Sequence, residues 1–277
     1  MIRGTTTVIA HIGFPTFAFK APMIYNPYFE HAGIDAVVVP MGSKPEDFPT
    51  FLREVFKLSN VGGALITMPH KVTTVALLDE ASPTVQIAGS CNAVRLSADG
   101  KLQGDMFDGE GFVRGVQRKG LNLAGKRALV VGSGGVGSAI AASLAAAGLG
   151  GIGLFDRTEA SAQALGGRLK KHYPNLEVIT GSNDPAGFDL VVNATPMGMN
   201  EGDPLPVDVS RIASTTFVGE VVMKSETTAF LAAAQARGCQ TQVGTDMLFE
   251  QIPAYLEFFG LPTTTPETLR SLAKLSY

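Results

Sequence analysis

The chain has 277 residues, 45% of them hydrophobic and 17% charged, which is the composition of an ordinary globular α/β protein and excludes a disordered or fibrous one. Its 22 basic and 25 acidic residues give a formal charge of −3, with no lysine or arginine run, so there is no electrostatic footprint for nucleic acid or an anionic membrane. Small-molecule partners are expected, in a monomer or a homodimer.

At about 100 to 200 residues per domain, the length suggests two domains. From Val8 to about Asp105, short β-branched runs alternate with amphipathic segments. Strands are predicted at Val8 to Ile12, Ala36 to Pro40 and Ala64 to Thr67, and helices at Pro22 to Ala32 and Glu46 to Leu58. That alternation is the signature of an open, mostly parallel α/β sheet. Gly115 to Gly125 reads as the tail of a connecting helix and a turn. A Rossmann-like cycle follows, with strand 127–131, helix 138–147, strand 151–155, helix 160–172, and strands 177–180 and 190–193. From Met247 to Phe259 the residues Leu248, Ile252, Tyr255, Leu256 and Phe259 form a helical stripe. The expected organisation is a substrate-binding domain over 1–107 and a dinucleotide-binding domain over 108–243. Helices over 244–277 are expected to pack back toward the first domain.

Cys91 and Cys239 form neither a CxxC pair nor a disulfide framework, and His11, His31, His70 and His172 lack ligand spacing, so no metal is expected. The apolar run from Ala139 to Leu149 falls short of the ~20 residues that span a bilayer, and the N-terminus lacks a signal-type apolar stretch. The expected location is cytoplasmic, without membrane contact.

Gly132-Ser133-Gly134-Gly135-Val136-Gly137 sits between an apolar strand and an alanine-rich helix. In that context backbone N–H groups and the helix N-terminus can cradle a pyrophosphate. The next strand ends at Asp156, near the ~20-residue offset of a ribose-binding acid. A carboxylate there favours NAD and repels the 2′-phosphate of NADP, although the neighbouring Arg157 offers that phosphate a guanidinium. Thr195, Pro196 and Met197, in a turn at the carboxyl end of strand 190–193, are candidates for the nicotinamide face. As pattern alone, the same turn also reads as simple core packing.

Before this loop come Thr67-Met68-Pro69-His70-Lys71, Ala88 to Val94 around Asn92, and Asp105-Met106-Phe107-Asp108-Gly109. After it come Asn193 to Met199 and Gly244-Thr245-Asp246-Met247-Leu248 with Gln251. Together with Gly13-Phe14-Pro15, and in this order, the motifs resemble the shikimate dehydrogenase family over nearly the whole chain. The resemblance implies an N-terminal substrate domain, a C-terminal nicotinamide domain, and Lys71 with Asp108 as the catalytic pair. It further implies Thr67, Asn92 and Gln251 as substrate ligands, and Val221 and Gly244 near the cofactor. Alcohol oxidation removes a hydride to nicotinamide and a proton from oxygen, so a side chain must take and return that proton. Lys71 either shuttles the proton or polarises the oxygen, with Asp108 orienting or sharing it. His70 is expected to be structural.

The chain departs from the family where a Ser-x-Ser pair would hold a substrate carboxylate, for it reads Phe19-Lys20-Ala21. Hydrogen bonds to charged groups contribute roughly 1.5–3 kcal/mol each, so losing two costs about two to four decades in affinity unless something compensates. Lys20 or Thr16 is the expected replacement, and Phe19 becomes a pocket residue. Met223 stands where the family often has tyrosine. The expected activity is reversible hydride transfer between NAD, or less favourably NADP, and a cyclic hydroxy acid such as shikimate or quinate. Alternatives are a member acting on a non-carboxylated or amino analogue, and a non-catalytic NAD or metabolite sensor.

Overall fold

The β-branched run at the start forms strand β1 (Thr7–Gly13), an inner strand of the first of two sheets in the computed structural model, which describes residues 1–275. Helix α1 (Pro22–Ala32) begins with proline at its first position and ends at Gly33, which takes the left-handed conformation (φ 65°) that glycine adopts without penalty. Then come β2 (Ala36–Gly42), α2 (Phe48–Val55), β3 (Val61–Ile66) and α3 (Lys71–Val75). They are followed by β4 (Glu80–Ala81), α4 (Pro83–Ala88), β5 (Ala93–Leu96) and β6 (Leu102–Asp105). The sheet order is β2-β1-β3-β5-β6-β4. β1 runs parallel to β2 and β3, while β5 is antiparallel to both β3 and β6. The expected helix over 46–58 is shortened to Phe48–Val55, because Lys44 to Asp47 make a turn before it and Phe56 to Leu58 a turn after it.

Helix α5 (Asp108–Arg118) opens the second compact unit, followed by β7 (Arg127–Val131), α6 (Gly135–Ala146), β8 (Gly151–Phe155) and α7 (Glu159–His172). Next are β9 (Glu177–Thr180), β10 (Leu190–Asn193), β11 (Phe217–Glu220), α8 (Ala229–Ala236) and β12 (Thr241–Gln242). All strands of this sheet are parallel, in the order β12-β11-β10-β7-β8-β9. Its inner strands are buried on both faces. Val130, Leu154 and Val192 pack with α6 on one side, and Leu129, Val131 and Val191 with α8 on the other. Such strands read as continuous apolar runs. Lys170, Lys171 and His172 in the last turn of α7 complement the partial negative charge at the helix end.

Helices α9 (Gly244–Phe258) and α10 (Pro266–Leu272) complete the chain. The first unit takes in residues 1–85, 89–107 and those from Ile252 onward, and the second takes in 86–88 and 108–251. Within the first unit, Arg95 donates to the Phe258 carbonyl (2.6 Å) and lies over its ring, 4.5 Å from the centroid. The Phe107 ring meets Tyr255 and Phe258 edge-on, and Lys274 N–H donates to the Met23 carbonyl. No helix among the described residues is long and apolar enough to cross a membrane.

In the second unit α5 and α6 approach closely at Gly109, where a Cβ would meet the Ala139 carbonyl carbon and oxygen and come within 2.6 Å of Ser143 Oγ. Backbone cannot retreat as a flexible side chain can. Gly109→Ala is therefore expected to destabilise the fold by about 1–3 kcal/mol, read as a lower urea midpoint with an unchanged slope. An unchanged midpoint would contradict this packing.

Candidate active site

In the first unit the site begins where β1 ends. Thr67 N–H donates to the Ile12 carbonyl (2.9 Å) and Phe14 N–H to the Met68 carbonyl (3.0 Å), which lays the Thr67-to-Lys71 turn along the end of β1. Gly13 permits this approach. A Cβ there would meet Thr67 Cγ2 and lie 2.8 Å from both the Met68 carbonyl oxygen and Phe19 Cζ. The peptide bonds before Pro15 and Pro69 are cis.

His70 is buried. Its Nε2 donates to the Ser43 carbonyl (2.8 Å), and its ring stacks on Phe48 at 3.9 Å and 3°. Burial lowers its pKa below the usual imidazole value, so the ring is a neutral anchor for the residue that follows. That residue, Lys71, opens α3, and its carbonyl accepts from Cys91 N–H (2.8 Å). The bond ties the lysine to the strand entrance at Asn92. Asn92 is buried, its side-chain Oδ1 accepts from Phe107 N–H (2.9 Å), and its carbonyl accepts from Ile66 N–H. Burial pushes the Cys91 thiol up to about 12, which makes it packing and not a nucleophile. Thr67, Lys71 and Asn92 are thus held in one unit by three backbone ties.

The other wall of this site is aromatic. Phe19 packs against the buried ring of His11, with centroids 4.1 Å apart and the planes tilted by 31°, and its tip lies over Gly13 beside Thr67. Burial first, and then the charge of Lys71, lower the His11 pKa to about 4, so the imidazole is neutral near pH 7. Its Nδ1 is buried without a partner among the described residues.

In the second unit, α6 starts where the glycine loop ends. Gly132 takes a positive φ of 105°, and a Cβ on it would lie 2.7 Å from the Ala194 carbonyl oxygen. At Gly137 a Cβ would meet the Gly132 carbonyl, while at Gly134 the space is open. This is the cradle expected of a phosphate loop, closed where helix meets strand and open where a ligand approaches. The Ser133 hydroxyl oxygen is buried and unpartnered. A cavity of about 440 Å³ adjoins the loop, lined by Gly132, Gly134, Asp156, Arg157 and the turn from Ala194 to Met197. Asp156 accepts from Ser133 N–H through Oδ2 (2.8 Å) and from Thr158 N–H through Oδ1 (2.9 Å). Arg157 is exposed. The Thr195 hydroxyl donates to Asn193 Oδ1 and accepts from Met197 N–H, which shapes the turn. Gly244 packs so closely on the Val221-Val222 backbone that a Cβ would lie 2.8 Å from the Val221 carbonyl carbon. Asp108, buried, is the first residue of α5, and Gln251 carries a buried Oε1 without a partner among the described residues. No three His, Cys, Asp or Glu side chains among the described residues gather as metal ligands.

A family model described as the shikimate dehydrogenase substrate binding domain matches residues 12–94. The shikimate dehydrogenase (NADP(+)) of Rubrobacter xylanophilus is 34% identical over 254 residues, which cover 90% of this chain and 89% of its own. The chain belongs to the shikimate dehydrogenase family. Solved structures of that fold include a shikimate 5-dehydrogenase from Listeria monocytogenes in complex with shikimate and NAD. It is 25% identical, with a TM-score of 0.90 over 98% of this chain and 97% of that one. Another is the ligand-free 5-ketofructose reductase of a Gluconobacter species, also 25% identical, with a TM-score of 0.88 over 98% of each chain.

Motif spacing located Lys71, Asn92 and the glycine loop, but it left out His11 and Glu220. His11 meets Phe19 only through the fold of the turn between them. Glu220 ends β11 fully buried, and accepts from the Thr228 hydroxyl (2.9 Å); burial raises its pKa. The His11 shift has a consequence for stability. Between about pH 6.5 and 4 the unfolded chain binds a proton at His11 that the folded chain refuses, so stability falls as pH falls through that window. In urea titrations, His11→Phe is expected to lose about 2 kcal/mol less than the wild type between pH 7 and 5. Equal losses would contradict a neutral, buried His11.

Proposed function

We propose that this protein catalyses reversible hydride transfer between a nicotinamide dinucleotide and a secondary hydroxyl of a cyclic polyol of the shikimate type. The observation that carries the reading is Lys71 tied through Cys91 to the buried amide Asn92, beside Thr67. It is supported by the open cradle at Gly134 above the 440 Å³ cavity, a shape that fits a dinucleotide. The orphaned Ser133 hydroxyl in the same loop adds a donor to that fit.

Backbone N–H groups from Gly134 to Gly137, at the start of α6, would hold the pyrophosphate, and Asp156 the adenosine ribose. Thr195, Pro196, Met197, Val221 and Gly244 would border the nicotinamide half. When bound, the dinucleotide accepts or supplies the hydride at the carbinol carbon. Lys71 Nζ takes the hydroxyl proton as the alcohol is oxidised and returns it as the ketone is reduced. Thr67 and Asn92 are proposed to bind the remaining hydroxyls, and Asp108 and Gln251 are further proposed site residues, the latter with a buried oxygen unpartnered among the described residues. Phe19 and Lys20 border the same pocket. A cytoplasmic monomer or homodimer acting on small molecules fits this reading.

NAD is the proposed cofactor over NADP. Two backbone N–H groups pin the Asp156 carboxylate, so it does not swing aside for a 2′-phosphate, and its charge repels one. The relatives differ on this point, since the Rubrobacter enzyme is named for NADP(+) and the Listeria enzyme was crystallised with NAD. Asp156→Ser is expected to raise kcat/KM for NADP relative to NAD by tenfold or more, and an unchanged ratio would overturn the assignment. Lys71→Ala is expected to lower turnover at least 10³-fold while dinucleotide affinity, measured by fluorescence titration, stays within about twofold. Undiminished turnover would remove Lys71 from the mechanism.

A further inference from the structure

Beside the Lys71 turn, Phe19 presents an aromatic ring, half-buried, tilted at 31° against His11 with centroids 4.1 Å apart and reaching over Gly13 to Thr67. His11 is neutral behind it, because burial and the Lys71 charge hold its pKa near about 4. The backbone donors that follow Ala21 are committed where α1 begins. Pro22 has no N–H, Met23 N–H donates to the Lys20 carbonyl, and Ile24 and Tyr25 N–H both donate to the Ala21 carbonyl. Neither Phe19 nor Ala21 carries a hydroxyl. An anion set against the Phe19 ring would give up water without gaining a donor from it, whereas an uncharged carbon skeleton would lose nothing by the contact.

We infer that the wall formed by Phe19 on His11 receives an uncharged part of the substrate, and that the preferred substrate is an uncharged polyol or its ketone in place of a hydroxy acid. The inference rests on the proposed hydride transfer at Lys71 and narrows its substrate class. Hydroxyl recognition by Thr67 and Asn92 is unaffected, since those groups address the polyol. Phe19 and Ala21 thereby become residues that determine specificity, acting by what they withhold.

The test compares shikimate with its methyl ester, which share every hydroxyl and differ in one charge. Binding is measured by calorimetry on the full-length protein with the reduced dinucleotide present, so that no turnover intervenes. The ester is expected to bind at least tenfold more tightly than the acid. The double substitution Phe19→Ser with Ala21→Ser should reverse that order, while Phe19→Leu, which keeps an apolar wall, should preserve it. Tighter binding of shikimate by the wild type, or an order that the double substitution does not move, would overturn the inference. So would a loss of tenfold or more in Lys20→Ala that falls on the acid and spares the ester, because Lys20 would then hold a carboxylate. Turnover separates the two claims. Preferred binding of the ester with no nicotinamide reduction from either compound sinks the hydride reading and leaves the wall's selectivity standing. A higher kcat/KM for shikimate than for its ester supports hydride transfer and overturns the uncharged class.

Discussion

Everything on the substrate side depends on one crowded point, the Cα of Gly13 at the carboxyl end of β1. The Thr67 methyl, the Met68 carbonyl and the Phe19 ring converge there at distances that leave no room for a Cβ. Because β1 stops in that crowd, the Thr67-to-Lys71 turn can run along its end, bonded through Ile12 and Phe14. His70 then locks the turn from beneath by its bond to Ser43 and its stack on Phe48. Lys71 is consequently presented from a rigid frame, the placement that its proposed proton transfer would need. A larger residue at position 13 would push apart the lysine turn and the aromatic wall together.

The second unit meets a different demand with the same device. A dinucleotide needs close backbone approach at one end of the loop and open space at the next residue, and the glycines divide these tasks. Gly137 lets α6 press against the start of the loop, Gly132 turns the chain through a conformation costly for other residues, and Gly134 leaves the space open. The Asp156 carboxylate braces the loop by accepting Ser133 N–H, so the residue that would select the cofactor also holds the cradle's shape.

Strands Arg127–Val131, Gly151–Phe155 and Leu190–Asn193 of the second sheet were legible in the sequence because burial makes each a short apolar run. The exposed edge strand Glu177–Thr180 was legible from its β-branched residues, while Phe217–Glu220 was not read from the sequence. The antiparallel pair Ala93–Leu96 and Leu102–Asp105 was not, since its second strand reads Leu-Gln-Gly-Asp and owes its existence to pairing across the hairpin. The two-residue strands Glu80–Ala81 and Thr241–Gln242 carry no pattern at all. Among site residues, Lys71, Asn92 and the glycine loop could be found from motif order. The pairing of His11 with Phe19 could not, because it joins a strand residue to a turn residue through tertiary packing. The loss of two hydroxyls at Phe19 and Ala21 was visible in the sequence. What stands beside them, a ring pair of Phe19 with a neutral His11, required the structure.

The central claim is direct hydride transfer from a carbinol carbon, and an isotope experiment addresses it most directly. The protein is incubated with an oxidised nicotinamide dinucleotide and shikimate methyl ester deuterated at its ring carbinol carbons, and the reduced dinucleotide is isolated and weighed by mass spectrometry. The account predicts one deuterium in each reduced dinucleotide. Reduced dinucleotide without deuterium would contradict it.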